Sequence, residues 1–228
     1  MSSPRPTSIS VIVPTLNEAA HLAATLASIR ASLPAAEIIV ADGGSTDETP
    51  RLAARLGAQI VTAATGRGAQ LAAGATHACG DLLVFLHADT RLPGDAAAVL
   101  DRYFARPEVA LGTFRLKFDQ AGRFLRASAW FTRFDSVFTR FGDQAIVVRR
   151  TFYQELGGFP PWPLFEDVEL LRRARRLTRV WSFPAYVTTS ARRFRRRGPL
   201  RQQWLNTCLL LRFLTGTPPA KLATLYRT

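Results

Sequence analysis

Two apolar rhythms alternate along the first half of the chain. Ile9 to Val13 and Glu37 to Ala41 are short apolar runs, the pattern of strands buried on both faces, and Gln59 to Thr62 and Asp81 to Leu86 are expected as a third and a fourth strand. Between them the period lengthens. Leu22, Leu26 and Ile29 repeat at helical spacing within Ala19 to Ser32. Ser45 to Leu56 predicts a second helix, with Ser45 and Glu48 spaced for a capping box, and the alanine-rich Gly68 to Ala78 a third. The resulting βαβαβαβ order predicts an α/β fold, a mostly parallel central sheet with helices on both faces.

The second half is less regular. Helices are expected over Asp95 to Phe104, Arg123 to Phe138, Glu166 to Leu177 and Pro199 to Leu214, the last opened by proline. Strands are expected over Val109 to Phe118, Ala145 to Arg149, Val180 to Phe183 and Tyr186 to Thr189, the last two parted by Pro184. Met1 to Ser8 reads as a short disordered lead. With no internal repeat or low-complexity linker, one domain is expected over residues 1–191, extended by a basic helical appendage of the same domain over 192–228.

Ligands of an open α/β sheet bind beyond the carboxyl ends of its strands. There the chain places Pro14-Thr15-Leu16-Asn17-Glu18, Asp42-Gly43-Gly44-Ser45-Thr46-Asp47, Gly66-Arg67-Gly68 and His87-Ala88-Asp89-Thr90. Four polar or glycine-bearing loops in succession exceed what ordinary turns need. A dinucleotide fold would carry G-x-G-x-x-G after its first strand; Gly66-Arg67-Gly68 begins such a pattern, but Leu71 holds the third glycine position. No P-loop motif is present. Asp89 ends an apolar strand, where a carboxylate either caps a turn or holds a divalent metal on phosphate oxygens. Glu166-Asp167 opens a helix, where the dipole favours acids, behind a Gly157–Pro163 loop whose Trp162 offers a wall for a sugar ring. His21 and His77 fall within helices and carry no site.

Composition narrows the reading. The net charge of +13 is nearly all arginine, since Lys117 and Lys221 are the only lysines. Arginines crowd Arg172–Arg179 and the Arg192–Arg197 run. That second cluster suits a diphosphate, an anionic membrane surface or a nucleic acid. Cys79 and Cys208 fit neither a disulfide framework nor a zinc site and read as two buried thiols. No apolar stretch approaches a bilayer span and no export signal is evident, so a cytoplasmic protein is expected, with peripheral contact at the inner membrane face as a secondary expectation.

The ordered set of Pro14-Thr15-Leu16-Asn17-Glu18, Asp42-Gly43-Gly44-Ser45-Thr46-Asp47, Asp89, Gly157-Gly158-Phe159 and Glu166-Asp167 resembles the family 2 inverting glycosyltransferases of GT-A fold. His87-Ala88-Asp89-Thr90, Gly142-Asp143-Gln144 and Ser190–Phe194 look like a small, soluble bacterial subgroup of that family. The resemblance implies a nucleotide-sugar donor, commonly a UDP-sugar, held by Pro14, Thr15, Glu18, Asp42, Gly44, Arg67, His87, Ala88 and Asp89. It implies Asp167 as general base beside Glu166, and a divalent metal, Mn or Mg, on Asp89. His87 stands where the family's D-x-D motif has its first acid, which weakens the expected metal grip. Trp162, Gln144, Arg192 and Arg193 are assigned to the diphosphate or to an acceptor the sequence does not identify. No nucleic acid is expected as partner. The rival reading is a basic nucleic-acid- or membrane-surface-binding protein on a degenerate transferase fold.

Overall fold

A computed structural model describes residues 8–120 and 122–227. The lead expected over residues 1–8 lies outside the described residues save for Ser8. Strands β1 (Ile9–Thr15), β2 (Glu37–Asp42), β3 (Gln59–Thr62) and β4 (Leu82–Phe85) alternate with helices α1 (Ala19–Ser32), α2 (Thr49–Arg55) and α3 (Arg67–His77). These four strands run parallel in the order β3-β2-β1-β4.

Alternation along the buried strands builds two cores. Val11, Val13, Ile38, Val40, Leu82 and Val84 face one way, against Leu22, Leu26 and Ile29 of α1. Ile12, Ile39, Leu83 and Phe85 face the other way, against Leu71 of α3. A strand packed on both faces cannot show polar alternation, which is why these runs read apolar. Ser10 is a buried polar residue within β1; its hydroxyl donates to Glu37 and accepts from the Gly80 N–H.

The remaining strands turn the sheet mixed. They are β5 (Thr90–Arg91), β6 (Leu111–Phe118), β7 (Ile146–Arg149) and β8 (Trp181–Thr189), and the full order is β3-β2-β1-β4-β7-β6-β8-β5. β7 is antiparallel to β4 and to β6, while β8 runs parallel to β6 and antiparallel to β5. The expected parallel character therefore holds for the first four strands and ends at β4. The two short strands expected around Pro184 are one strand, β8. Its register against β6 shifts between Thr113 and Arg115, and the exposed Pro184 sits in that irregularity, where a missing N–H breaks no ladder.

Helices α4 (Ala96–Phe104), α5 (Arg123–Phe131), α6 (Arg150–Glu155), α7 (Glu166–Ala174), α8 (Arg192–Arg197), α9 (Pro199–Leu214) and α10 (Pro219–Arg227) complete the fold. The helix expected to reach Phe138 stops at Phe131. The helix expected from Ser45 begins only at Thr49, because the Ser45 hydroxyl donates to Asp42 (2.6 Å) and accepts from the Asn17 N–H instead of capping. α9 and α10 cover α7 through a third apolar cluster of Phe165, Val168, Leu209, Leu210 and Leu222. Cys79 is exposed and Cys208 half-buried, so the two thiols are not core residues as expected. Among the described residues no helix is long and apolar enough to cross a membrane.

Candidate functional site

Strand register brings the site together. Phe85 of β4 pairs with Ile146 of antiparallel β7. The chain leaving β4 at His87 therefore lies beside the chain entering β7, which there forms a tight turn over Gly142–Gln144. Thr90 pairs with Thr189, so the end of β8 and the start of α8 come to the same edge, and the Ser190 N–H donates to the Asp89 carbonyl (3.2 Å).

Gly142 is the point of closest approach. Its N–H donates to Asp167 Oδ2 at 2.5 Å, and a Cβ on it would stand 3.1 Å from that oxygen and 3.2 Å from His87 Nε2. Any side chain there would push the imidazole and carboxylate apart. Asp167 Oδ1 accepts its second backbone bond from the Val168 N–H (2.8 Å) at the start of α7. Phe165, which leads into α7, and Ala145, which leads into β7, hold φ values of +64° and +53°. Left-handed conformations at non-glycine residues cost of order 1–3 kcal/mol each and collect where a site dictates the backbone.

Arg67, at the start of α3, bonds to Glu166 and lies 4.0 Å from Asp167. Burial alone would lower the Arg67 pKa, but Glu166 and Asp167 raise it beyond its usual range. Burial pushes Glu166 up to about 7, with Arg67 pulling the other way. The Glu166 side chain is 0% exposed, so the acid expected to act in catalysis is closed off and spent on positioning Arg67. Burial, and then the positive charges of Arg67, Arg193 and Arg192, hold His87 well below its usual value, which keeps the imidazole neutral.

The β1 and β2 loops lie beside this edge and are held by their own hydrogen bonds. Asp42 accepts from Thr15 Oγ1 (2.9 Å), Ser45 Oγ (2.6 Å), the Gly44 N–H (3.0 Å) and the Ser45 N–H (2.8 Å). Burial works to raise its pKa, and these donors outweigh it and lower it. Four bonds fill the acceptor sites of a carboxylate. Asp42 here shapes its loop instead of presenting free lone pairs to a base. Gln70 braces the loop from below, donating to the carbonyls of Thr15 (2.6 Å) and Ala41 (2.9 Å), while Pro14 is buried in β1 beside Ala41.

Arg192 closes the other side. Its guanidinium bonds to both carboxylate oxygens of Glu18 and lies 3.1 Å from Asp89 Oδ2. Ala88, between the two polar residues of the loop, is buried and accepts from Thr25 Oγ1 at 2.7 Å. Among the described residues no three His, Cys, Asp or Glu side chains gather as a metal cluster. Asp89 offers one carboxylate, already shared with Arg192. That donor set fits a divalent ion only where substrate phosphates supply most of the coordination.

A cavity of about 480 Å³ unites the residues of β4, the Gly142 turn, α7 and α8. Arg67, His87, Asp89, Gln144, Asp167 and Arg193 line it. Thr15, Glu18, Asp42 and Gly44 lie outside that lining, in the adjoining loops. Trp162 is also outside it: the indole packs on Phe213, and its backbone carbonyl accepts from the Gly68 N–H (3.0 Å). Gln144 is fully buried and donates to the Thr139 carbonyl (2.6 Å). Asp143, absent from the sequence-derived candidates, faces the cavity with a buried Oδ1 that has no hydrogen-bond partner among the described residues. Burial, then the charge of Asp167, pushes Asp143 up to about 7. The sequence signal was present in Gly142-Asp143-Gln144 ahead of an apolar run.

Several arginines make contacts within the protein. Arg175 pairs with Asp135, Arg172 and Arg173 with Glu169, and Arg193 donates to Tyr226 Oη (2.8 Å). Arg140 is buried, donating to Thr113 Oγ1 (2.6 Å) and the Trp181 carbonyl (3.0 Å), with Asp135 Oδ1 at 3.2 Å from its Nε.

Comparison with known proteins gives the fold and the family. Succinoglycan biosynthesis protein ExoA of Rhizobium meliloti is 47% identical over 60 residues, 25% of this chain and 18% of that protein. A 4,4'-diaponeurosporenoate glycosyltransferase of Staphylococcus aureus is 35% identical over 101 residues, 41% of this chain and 27% of that protein. The chain thus covers well under a third of either curated relative. Among solved structures, mannosyltransferase PcManGT from Pyrobaculum calidifontis, in complex with GDP-Man and Mn²⁺, superposes with a TM-score of 0.65 at 21% identity, over 95% of this chain and 67% of that one. TarS 1-349 of S. aureus in complex with UDP gives 0.61 at 18% identity, over 89% and 64%. These likenesses establish the GT-A fold. The model of glycosyl transferase family 2 matches residues 10–204, nearly the whole of the sheet and its helices, and the chain belongs to that family.

Proposed function

We propose that this chain transfers a sugar from a nucleoside-diphosphate donor, a UDP-sugar, to an acceptor hydroxyl with inversion at the anomeric carbon. The observation that carries the reading is the meeting of Asp89, Asp167, His87 and Arg67 in one cavity at the carboxyl edge of a family 2 sheet. Solved structures of like fold hold UDP, UDP-GlcNAc or GDP-Man.

The nucleoside lies against the loops that carry Pro14, Thr15, Glu18, Asp42 and Gly44, with Asp42 acting by holding its loop's shape. The diphosphate passes His87, Ala88 and Asp89 toward Arg192 and Arg193. The acceptor oxygen attacks the anomeric carbon from the face opposite the diphosphate. Its bond to carbon forms as the carbon–diphosphate bond breaks, and Asp167 takes the hydroxyl proton. Arg192 and Arg193 offset the charge that grows on the departing diphosphate. A divalent ion on Asp89, Mn or Mg, would supply further charge neutralisation at the same oxygens.

Thermal-shift titrations with UDP- and GDP-sugars, with and without Mn²⁺, test the donor. A melting temperature raised by UDP-sugars and not by GDP-sugars is expected. Asp167→Asn should lower turnover by about 10²- to 10⁴-fold while donor binding persists; full turnover by that variant removes Asp167 as the base.

A further inference from the structure

The cavity continues past the carboxylates into a chamber that sugar transfer itself does not use. We propose that this chamber holds the apolar body of the acceptor, an alcohol bearing a long hydrocarbon or isoprenoid tail whose hydroxyl reaches Asp167; the inference rests on the transferase reading above. Three observations carry it.

First, the acidic end and the apolar end are one space. Asp89, Asp143 and Asp167 share the cavity with Phe118, Phe131, Phe138, Phe194, Leu209 and Leu210. A volume of about 480 Å³ lies within the range of roughly 300–1,000 Å³ found for small-molecule sites.

Second, several polar groups in the wall are already bonded within the protein. Gln202 Nε2 donates to Asn206 Oδ1 (2.8 Å), Thr207 Oγ1 to the Gln203 carbonyl (3.0 Å), and Thr139 Oγ1 to the Phe134 carbonyl (2.7 Å). Thr132 Oγ1 donates to the Ala129 carbonyl (2.7 Å) and accepts from the Leu116 N–H (3.1 Å). What the chamber presents to a ligand is chiefly ring faces and aliphatic carbon. A hydrocarbon tail needs no hydrogen-bond partner from such a surface.

Third, the mouth is apolar and exposed. Phe131 and Phe138 are each 53% exposed although they line the cavity, and Trp204 on α9 is 70% exposed one turn from the cavity-lining Thr207. Large aromatic residues left in water at the rim of an apolar cavity mark a ligand entrance.

The test is isothermal titration of the full chain with 1-octanol, 1-decanol and, as the tail-free control, glycerol. Each methylene withdrawn from water tightens binding about fourfold, so decanol should bind on the order of tenfold more tightly than octanol. Glycerol should not bind. Thr207→Trp, at an exposed position on the mouth, should abolish decanol binding, and Phe138→Ser should weaken it several-fold, each with an unchanged circular-dichroism spectrum. Offering decanol free in solution and embedded in phosphatidylcholine vesicles separates a soluble acceptor from one drawn out of a membrane. Absence of saturable decanol binding, affinity indifferent to chain length, or binding untouched by both variants overturns the proposal. Vesicle binding that survives Thr207→Trp also overturns it, because the aromatic residues would then serve surface docking. UDP is titrated in parallel: UDP binding without alcohol binding sinks the acceptor assignment alone, and alcohol binding without UDP binding sinks the transferase reading.

Discussion

Asp143→Asn keeps the shape of the side chain and removes its charge. In the folded protein, burial and the neighbouring Asp167 and Asp89 push the Asp143 carboxyl up to about 7, against the pull of Arg67 and Arg193. Unfolded, it titrates near 3.8. Because the folded pKa is the higher one, the folded state binds the proton more tightly. The carboxyl's contribution is therefore fully present below about pH 3.8 and is lost as pH rises through about 7. At 1.36 kcal/mol per pH unit, the interval amounts to about 4 kcal/mol as an upper bound. The cavity opens to water, which relaxes the penalty, so we expect Asp143→Asn to stabilise the protein by ~1–2 kcal/mol at pH 8. For a chain of this size that raises Tm by about 2–8 °C. At pH 4 the asparagine and the protonated acid are nearly equivalent, and the gain should vanish. Urea denaturation of both proteins from pH 4 to pH 8 measures the difference. A difference that stays flat across this range, or a variant less stable than wild type at pH 8, refutes the reasoning.

Gly68→Ala should lower Tm by at least about 3 °C, from a strain of about 1–3 kcal/mol. Its Cβ would fall 2.1 Å from the Pro160 carbonyl oxygen and 2.7 Å from that of Trp162, both backbone atoms that cannot rotate away; an unchanged melting curve would show that the loop yields freely. Arg192→Met should cost about 1 kcal/mol in thermal denaturation, because the pairs it breaks with Glu18 and Asp89 are partly exposed. The loss should shrink in 1 M salt, and a loss independent of salt would assign the effect to packing.

The strands that carry the site were legible because burial on both faces leaves an unmistakable apolar run, as at Val11–Val13 and Leu82–Phe85. Two helical predictions overran the helices that form. Ser45 turns to Asp42 and Asn17, and the aromatic residues beyond Phe131 leave the helix for the rim of the cavity. Pro184 suggested a break because local sequence does not reveal a register shift in the neighbouring strand. Asp143 stood in the sequence only as part of the Gly142-Asp143-Gln144 resemblance, without a role. The antiparallel pairing of β7 with β4 is what carries it to the carboxylates of other segments. Trp162 shows the converse: an aromatic in a rigid loop suggested a ligand wall, yet it packs on Phe213.

The clasp made by Arg192 spans 174 positions of sequence between Glu18 and α8. One guanidinium thereby fastens the last helices to the first loop, with Asp89 as a third point of attachment. Coupling of this kind is reciprocal: whatever draws Asp89 toward another cation loosens the hold on α8 by the same free energy that α8 lends to Asp89. Under the proposed function, loading at the head of the sheet and the seating of the tail would draw on a single balance at Asp89.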